Sequence, residues 1–253
     1  MDRRSVLVTG STTGLGLAAA LELTADGHDV VFHARNRQRA SSLPASATVV
    51  IGDLGEPDQV ADVADQIRQH GPLDAVIHNA GIDGTAERTV NSHGQPLVTA
   101  VNLYAPYILT ALLGPIPRLV YLSSDMHARG HADLDDLDWT TRRWNGTQAY
   151  CDSKLHVTTL ALAIAAHWHD VRANAVDPGW VPTRMGGTSA TDDLTLGHQT
   201  QTWLATSGDP AADTTGHYWY HQQPQPAAPA AGDKAFQEAL LERLESISGH
   251  AIA

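Results

Sequence analysis

One cysteine in 253 residues, Cys151, leaves nothing for an internal disulfide framework and fits a reducing compartment. Basic residues are few: 16 Lys and Arg face 28 Asp and Glu, a net charge of −12. So acidic a chain offers no extended groove for nucleic acid and no face for anionic lipid, and any anionic ligand has to be met by local positive groups. Long apolar runs are also missing, with no stretch near the roughly 18 residues of a membrane span. Met1-Asp2-Arg3-Arg4-Ser5 has the twin arginines of an export signal, but only Val6-Leu7-Val8 follows before Thr9, too short for a leader's apolar region. The expected location is cytoplasmic. There is no repeat and no break in composition, so residues 1–253 are expected to form one domain. A chain of this size buries roughly 70–75% of the surface its unfolded form exposes. The 14 histidines lack metal spacing, and Asp133, Asp135, Asp136 and Asp138 lack the Gly turn and bidentate Glu of a calcium loop. No metal is expected, and residues 125–146 are read as a solvated loop.

What is present is an alternation of short β-branched runs and longer helical patterns. Strands are expected at 6–8, 29–34, 48–51, 73–78, 118–122, 172–176 and 216–220, with helices between them and a closing amphipathic helix over 233–247. This pattern predicts an α/β fold, a single-domain Rossmann-like, doubly wound parallel sheet with helices on both faces. Residues 184–208 are expected to form a substrate loop with a short helical lid. Trp180, Met185, Trp203, Tyr218 and Trp219 are candidates for an apolar pocket mouth or for core.

The first strand runs straight into Thr9-Gly10-Ser11-Thr12-Thr13-Gly14-Leu15-Gly16 and then an apolar helix. Strand, glycine turn and helix N-terminus together make a phosphate cradle, because glycine lets backbone approach a pyrophosphate and the helix end supplies N–H donors. After the second strand stands Ala34 and then Arg35, where a carboxylate would bond ribose hydroxyls and an arginine a 2′-phosphate. The reading is therefore NADP(H) in preference to NAD(H), with NAD(H) still open. Asp53 and Leu54, past the third strand, are placed to take the adenine amino group and cover its ring. Asn79, Ala80 and Gly81 follow the fourth strand, where small residues let backbone lie along a ligand.

Tyr150 and Lys154 are four apart on an expected helix and so share a face. An ammonium beside a phenol favours the phenolate, drawing a group of ordinary pKa about 10 toward working pH. Ser124 and Pro178 fall just past strand ends, and Asn102 is the conspicuous polar residue of an apolar helix. In a doubly wound sheet these positions converge on one crevice.

With Thr9-Gly10-x-x-x-Gly14-x-Gly16, Asp53-Leu54, Asn79-Ala80-Gly81, Asn102, Ser124, Tyr150-x-x-x-Lys154 and Pro178-Gly179-x-x-x-Thr183, the chain resembles the short-chain dehydrogenase/reductase family along essentially its whole length. The resemblance implies Tyr150 as proton donor or acceptor, Ser124 as the hydroxyl orienting the substrate oxygen, Lys154 on the nicotinamide ribose and Asn102 as holder of a relay water. Ser123 is the neighbouring alternative to Ser124; the family pattern favours Ser124. Gly10, Thr12, Thr13, Gly14, Leu15 and Gly16 would line the phosphates, and Pro178, Gly179, Val181 and Thr183 the nicotinamide carboxamide. His78 departs from the pattern, standing where many members have a second Asn. The 26 residues from Ser124 to Tyr150, with Asp136-Leu137 and Trp139, look like the retinol-dehydrogenase-like branch, and Thr89 to Gly94 fits it. The implied activity is interconversion of a small-molecule carbonyl and alcohol by hydride transfer. A non-catalytic NADP-sensing protein on the same fold is the alternative. Relatives often pair through the helices after strands four and five, which makes a homodimer the assembly to test.

Overall fold

The computed structural model describes residues 2–253. Eight strands form one sheet in the order β3-β2-β1-β4-β5-β6-β7-β8. They are β1 Ser5–Val8, β2 Asp29–Ala34, β3 Thr48–Ile51, β4 Ala75–His78, β5 Arg118–Leu122, β6 Arg172–Asp177, β7 Tyr218–Tyr220 and β8 Gln223–Gln225. β1 to β7 pair in parallel and β8 returns antiparallel on β7. The helices are α1 Gly14–Ala25, α2 Arg37–Ala40, α3 Pro57–Arg68, α4 Leu97–Thr99, α5 Ala105–Leu113, α6 Gly146–His167, α7 Leu194–Thr206 and α8 Lys234–Ser248.

The parallel strands feed two cores, as a period of two residues requires. Leu7, Val31, Val76, Leu119 and Tyr121 join the core under α3, α5, α6 and α8. Val6, Val8, Phe32, Ile77, Val120 and Leu122 face the other core, under α1 and α7. Fully burying one such side chain contributes about 1.5–3 kcal/mol. The chain goes one way from β1 to β2 and β3 and the other way to β4 and β5. The crevice at that reversal, past the strand C-termini, is where open α/β sheets bind ligands.

The structure departs from the sequence reading in four places. First, the stretch expected as a short helical lid holds α7, which is buried along one face and docks on α1, with His198 and Thr202 both bonded to Glu22. The irregular stretch is 178–193. Second, residues 125–146 fold around buried Asp136, Leu137 and Trp139, while Asp133 and Asp135 are exposed as expected. Asp136 is 7% exposed and accepts hydrogen bonds from Thr140, Thr141 and Arg142. Burial raises its pKa, but those bonds outweigh burial and hold it well below the carboxylate range. Arg142 also reaches Asp152 of α6 at 2.9 Å and stacks over Trp139. Third, Trp203 and Trp219 pack edge to face at 5.2 Å in the core, and Tyr218 is buried. Of the five mouth candidates only Trp180 and Met185 are exposed. Fourth, β8 went unread. Its turn puts His221 and Gln222 at φ +46° and +59° without a glycine or asparagine, and Pro224 argues against a strand except at an edge.

Candidate active site

The helix that contains Asn102 is not regular. Ala100–Tyr104 widens into a π-turn between α4 and α5, a distortion that often marks functional positions. The Asn102 amide reaches across the crevice. Oδ1 accepts the Ile82 amide at 2.9 Å, and Nδ2 donates to the Ile82 carbonyl and Ser153 Oγ, each at 3.0 Å. It ties the loop after β4 to α6.

α6 starts at Gly146 rather than at Tyr150 because the Asn145 side chain caps it, accepting from the Gln148 amide at 3.1 Å. That cap was legible as Asn-x-x-Gln. Starting one turn early sets Tyr150 and Lys154 well inside the helix, facing the crevice. Ser123 and Ser124 leave the end of β5 in opposite senses. Ser123 is buried with Oγ 2.6 Å from Thr158 Oγ1. Ser124 caps the 3-10 turn Asp125–Arg129, its Oγ accepting the Met126 amide at 3.3 Å and donating to Asp125 Oδ1 at 3.1 Å, and the same hydroxyl is near enough to Tyr150 to pull the phenol's pKa down. Burial dominates that phenol all the same and pushes it up to about 12, helped by Asp83, Asp177 and Asp125.

Lys154 stands beside Tyr150, as the sequence reading expects, and is tied to β5. Its Nζ lies 5.6 Å from the Tyr150 ring centre and donates to the Leu122 carbonyl at 2.8 Å. Burial lowers the ammonium itself to about 8, opposed by the Asp177 carboxylate. Asp177 accepts from the Gly179 amide at 2.9 Å and from Tyr218 Oη at 3.1 Å. Asp177 was not singled out from the sequence. Next to a proline and a glycine it reads as a turn residue, and only the packing of β6 beside β5 brings it near Lys154.

The glycine turn is stitched on both flanks. The Ala80 amide donates to Thr9 Oγ1, and Asn79 Nδ2 to the Thr9 carbonyl, each at 2.9 Å. Gly10 has φ +66°, and a Cβ there would lie 2.9 Å from Ala80 Cα. A Cβ at Gly16 would collide with the Asn79 side chain. Thr13 is the N-cap of α1 but makes no side-chain cap bond, so the exposed helix start has no side chain on its donors. Gly14 lies under Thr183, and Leu15 and Val181 both pack where a Cβ on Gly197 of α7 would go. Thr183 bonds Val181 and Gly186, and Gly179 abuts Asp192, which pins the Trp180 amide at 2.7 Å. Arg35 is exposed, its Nε 4.0 Å from Asp53 Oδ2. Leu54 is buried in the main core instead of lying open over a ligand. A Cβ on Gly81 would lie 3.5 Å from both Asn102 Oδ1 and Lys154 Nζ, so the loop after β4 runs directly beside the lysine.

Beside Tyr150 is an apolar wall that the sequence reading missed. Val98, Trp139 and Ala149 form its buried part, and Ile82, Trp144 and Tyr150 pack on it half-exposed. Trp144 donates to the Thr85 carbonyl at 3.0 Å and meets Trp139 edge-on at 5.3 Å. Gly84 and Gly146 touch backbone to backbone, leaving no room for a side chain on either. Among the described residues no helix is long and apolar enough to cross a membrane, and no three His, Cys, Asp or Glu are grouped to hold a metal ion.

The chain is similar to known proteins. A family profile described as enoyl-(acyl carrier protein) reductase matches residues 10–213. The short-chain dehydrogenase chry4 of Gibberella zeae is 38% identical over 253 residues, covering 96% of this chain and 96% of that protein. Human retinol dehydrogenase 13 is 29% identical over 270 residues, with 91% of this chain and 80% of that one covered. The crystal structure of an NADPH-bound carbonyl reductase from chicken fatty liver superposes with a TM-score of 0.67 at 22% identity, over 90% of this chain and all of that one.

Proposed function

The chain belongs to the short-chain dehydrogenase/reductase family of oxidoreductases, and from that premise we propose that it interconverts a carbonyl and an alcohol with NADP(H), Tyr150 being the general acid or base. The observation that carries this reading is the meeting of Ser124 and Tyr150 beside Lys154, whose Nζ and Asn102 Oδ1 both lie 3.5 Å from where a Cβ on Gly81 would stand.

The residues fit a dinucleotide. The first turn of α1 offers uncapped amides for phosphate, with backbone made bare by Gly10, Gly14 and Gly16. Arg35, exposed at the β2 end and loosely paired with Asp53 at 4.0 Å, is the residue for a 2′-phosphate. The NADPH bound by the chicken carbonyl reductase supports the same preference by analogy of fold. When bound, the nicotinamide supplies or accepts the hydride.

In the reductive direction Tyr150 gives its proton to the carbonyl oxygen. A phenol at about 12 is protonated at neutral pH and ready to donate. Ser124 Oγ donates to the same oxygen as charge develops on it, the point at which fixed donors are most effective. Lys154 keeps its charge near neutrality because Asp177 faces it, and from beside Gly81 it can bond the nicotinamide ribose. Relay water is assigned to the widened turn at Asn102.

Tyr150→Phe tests the reading against a panel of aldehydes and ketones, followed by NADPH absorbance. Turnover is expected to fall by about 10²–10⁴ while NADPH still binds. Unchanged turnover would remove Tyr150 from the reaction.

A further inference from the structure

His33 is the fifth residue of β2, only 3% exposed, and the proposed reaction does not use it. Its ring spans two loops. Nδ1 accepts the Gly10 amide at 2.9 Å, and Nε2 lies 2.9 Å from the Gly52 carbonyl. An amide only donates and a carbonyl only accepts, so both bonds coexist only in the neutral ring with its proton on Nε2. The backbone of the same residue completes the joint. The His33 amide donates to Ser11 Oγ at 2.9 Å, and its carbonyl accepts the Ser11 amide at 3.2 Å. Gly10 opens the phosphate turn, Gly52 precedes Asp53, and Arg35 follows two residues on. A single imidazole thus fixes the spacing between the segments assigned to the phosphates and to the adenosine.

We propose that His33 is a positioning residue for the dinucleotide: its neutral ring locks the Gly10 turn to the end of β3, and protonating it frees the turn and weakens cofactor binding. The proposal rests on the cofactor reading above. A second ring proton would sit on Nδ1 and confront the Gly10 N–H, two donors 2.9 Å apart. Either the turn moves or the ring swings out, and the first turn of α1 loses its place. Burial pushes the His33 pKa down, resisted by the Gly52 carbonyl and by Asp53. Asp53 at the β3 end is the charge that acts on the ring, Arg35 stands beside Asp53, and α2, which packs on β2, carries Arg37 and Arg39. β1, β3, the glycine turn and the first turn of α1 carry no titratable side chain.

The test measures NADPH affinity by quenching of tryptophan fluorescence at pH 8, 7, 6 and 5.5, at constant ionic strength. His33→Asn keeps an acceptor near the Gly10 amide and does not titrate. His33→Gln keeps a donor toward Gly52 but offers Gly10 no acceptor at the right place. At pH 8 we expect His33→Asn to bind within about threefold of the parent and His33→Gln to bind more weakly. Between pH 8 and 5.5 the parent is expected to lose about fivefold more affinity than His33→Asn, the lower end of ordinary coupling between sites. The 2′-phosphate titrates equally in both proteins and cancels. Parallel pH profiles overturn the proposal while leaving the cofactor reading intact; no binding of NADPH or NADH by the parent at pH 8 overturns both. If His33→Asn does not fold, the parent alone decides by nitrogen-detected NMR of its imidazoles. NADPH is expected to lower the pH at which the Nε2–H tautomer of His33 takes up its second proton, and an unmoved titration refutes the idea.

Discussion

His78 makes a prediction about acid stability that can be worked through in numbers. The residue ends β4, 3% exposed and stacked on Tyr121 at 4.7 Å. Nε2 lies 3.3 Å from Thr110 Oγ1, and Nδ1 has no partner. Burial drives its pKa down to about 3, whereas in the unfolded chain it titrates near 6.5. Because the folded value is the lower one, acid protonates the unfolded chain first. The stability is fully present above pH 6.5 and is lost as the pH falls from there toward 3. Well below 6.5 the loss runs at about 1.4 kcal/mol per pH unit, so His78 alone takes away about 2 kcal/mol between pH 7 and 5. Set against a typical total of about 5–15 kcal/mol, that is a large share. His78→Asn is neutral throughout. It starts less stable at pH 7, having lost the Tyr121 stack, but its decline from pH 7 to 5 is expected to be shallower by about 2 kcal/mol. Urea unfolding followed by tryptophan fluorescence at constant ionic strength measures both slopes. Equal declines in parent and variant would refute the reasoning. His156, pushed to about 4 by burial, acts in the same direction in parent and variant alike and cancels from the difference.

Three other perturbations address the site. Asp177→Asn removes the carboxylate that holds up the Lys154 ammonium, so the lysine should lose its charge at lower pH; the alkaline limb of the kcat/KM profile is expected to move down, and an unmoved limb would take Asp177 out of the account. Trp144→Ala opens the wall beside Tyr150: KM for bulky aromatic ketones should rise several-fold while small aldehydes change little, and an equal effect on both classes would show a general disturbance of the site. Arg35→Asp reverses the charge at the β2 end and is expected to shift preference from NADPH toward NADH by at least about tenfold; unchanged discrimination would overturn the 2′-phosphate assignment.

The family, the α/β class and most element bounds were legible in the sequence because each rests on local chemistry. The spans of β2 and β3 come from β-branched runs stopped by polar residues, and the glycine turn from spacing that only a bare backbone satisfies. The placement of Ser124, Tyr150, Lys154 and Asn102, just past a strand or on a helix, was readable in the same way. Neither the Arg142–Asp152 clamp nor the Gly84–Gly146 contact announced itself, since each joins segments far apart in the chain.

The sequence alone determined which groups are available and on which elements they stand, because side-chain period and turn chemistry act over a few residues. The tertiary structure decided what those groups face. It sent Ser123 into α6 and Ser124 to Tyr150, spent the Lys154 ammonium on the Leu122 carbonyl, buried α7 against α1, and set the His33 ring between Gly10 and Gly52. Burial and long-range hydrogen bonds set those pairings and the pKa values that follow from them, and both exist only once strands distant in sequence lie side by side.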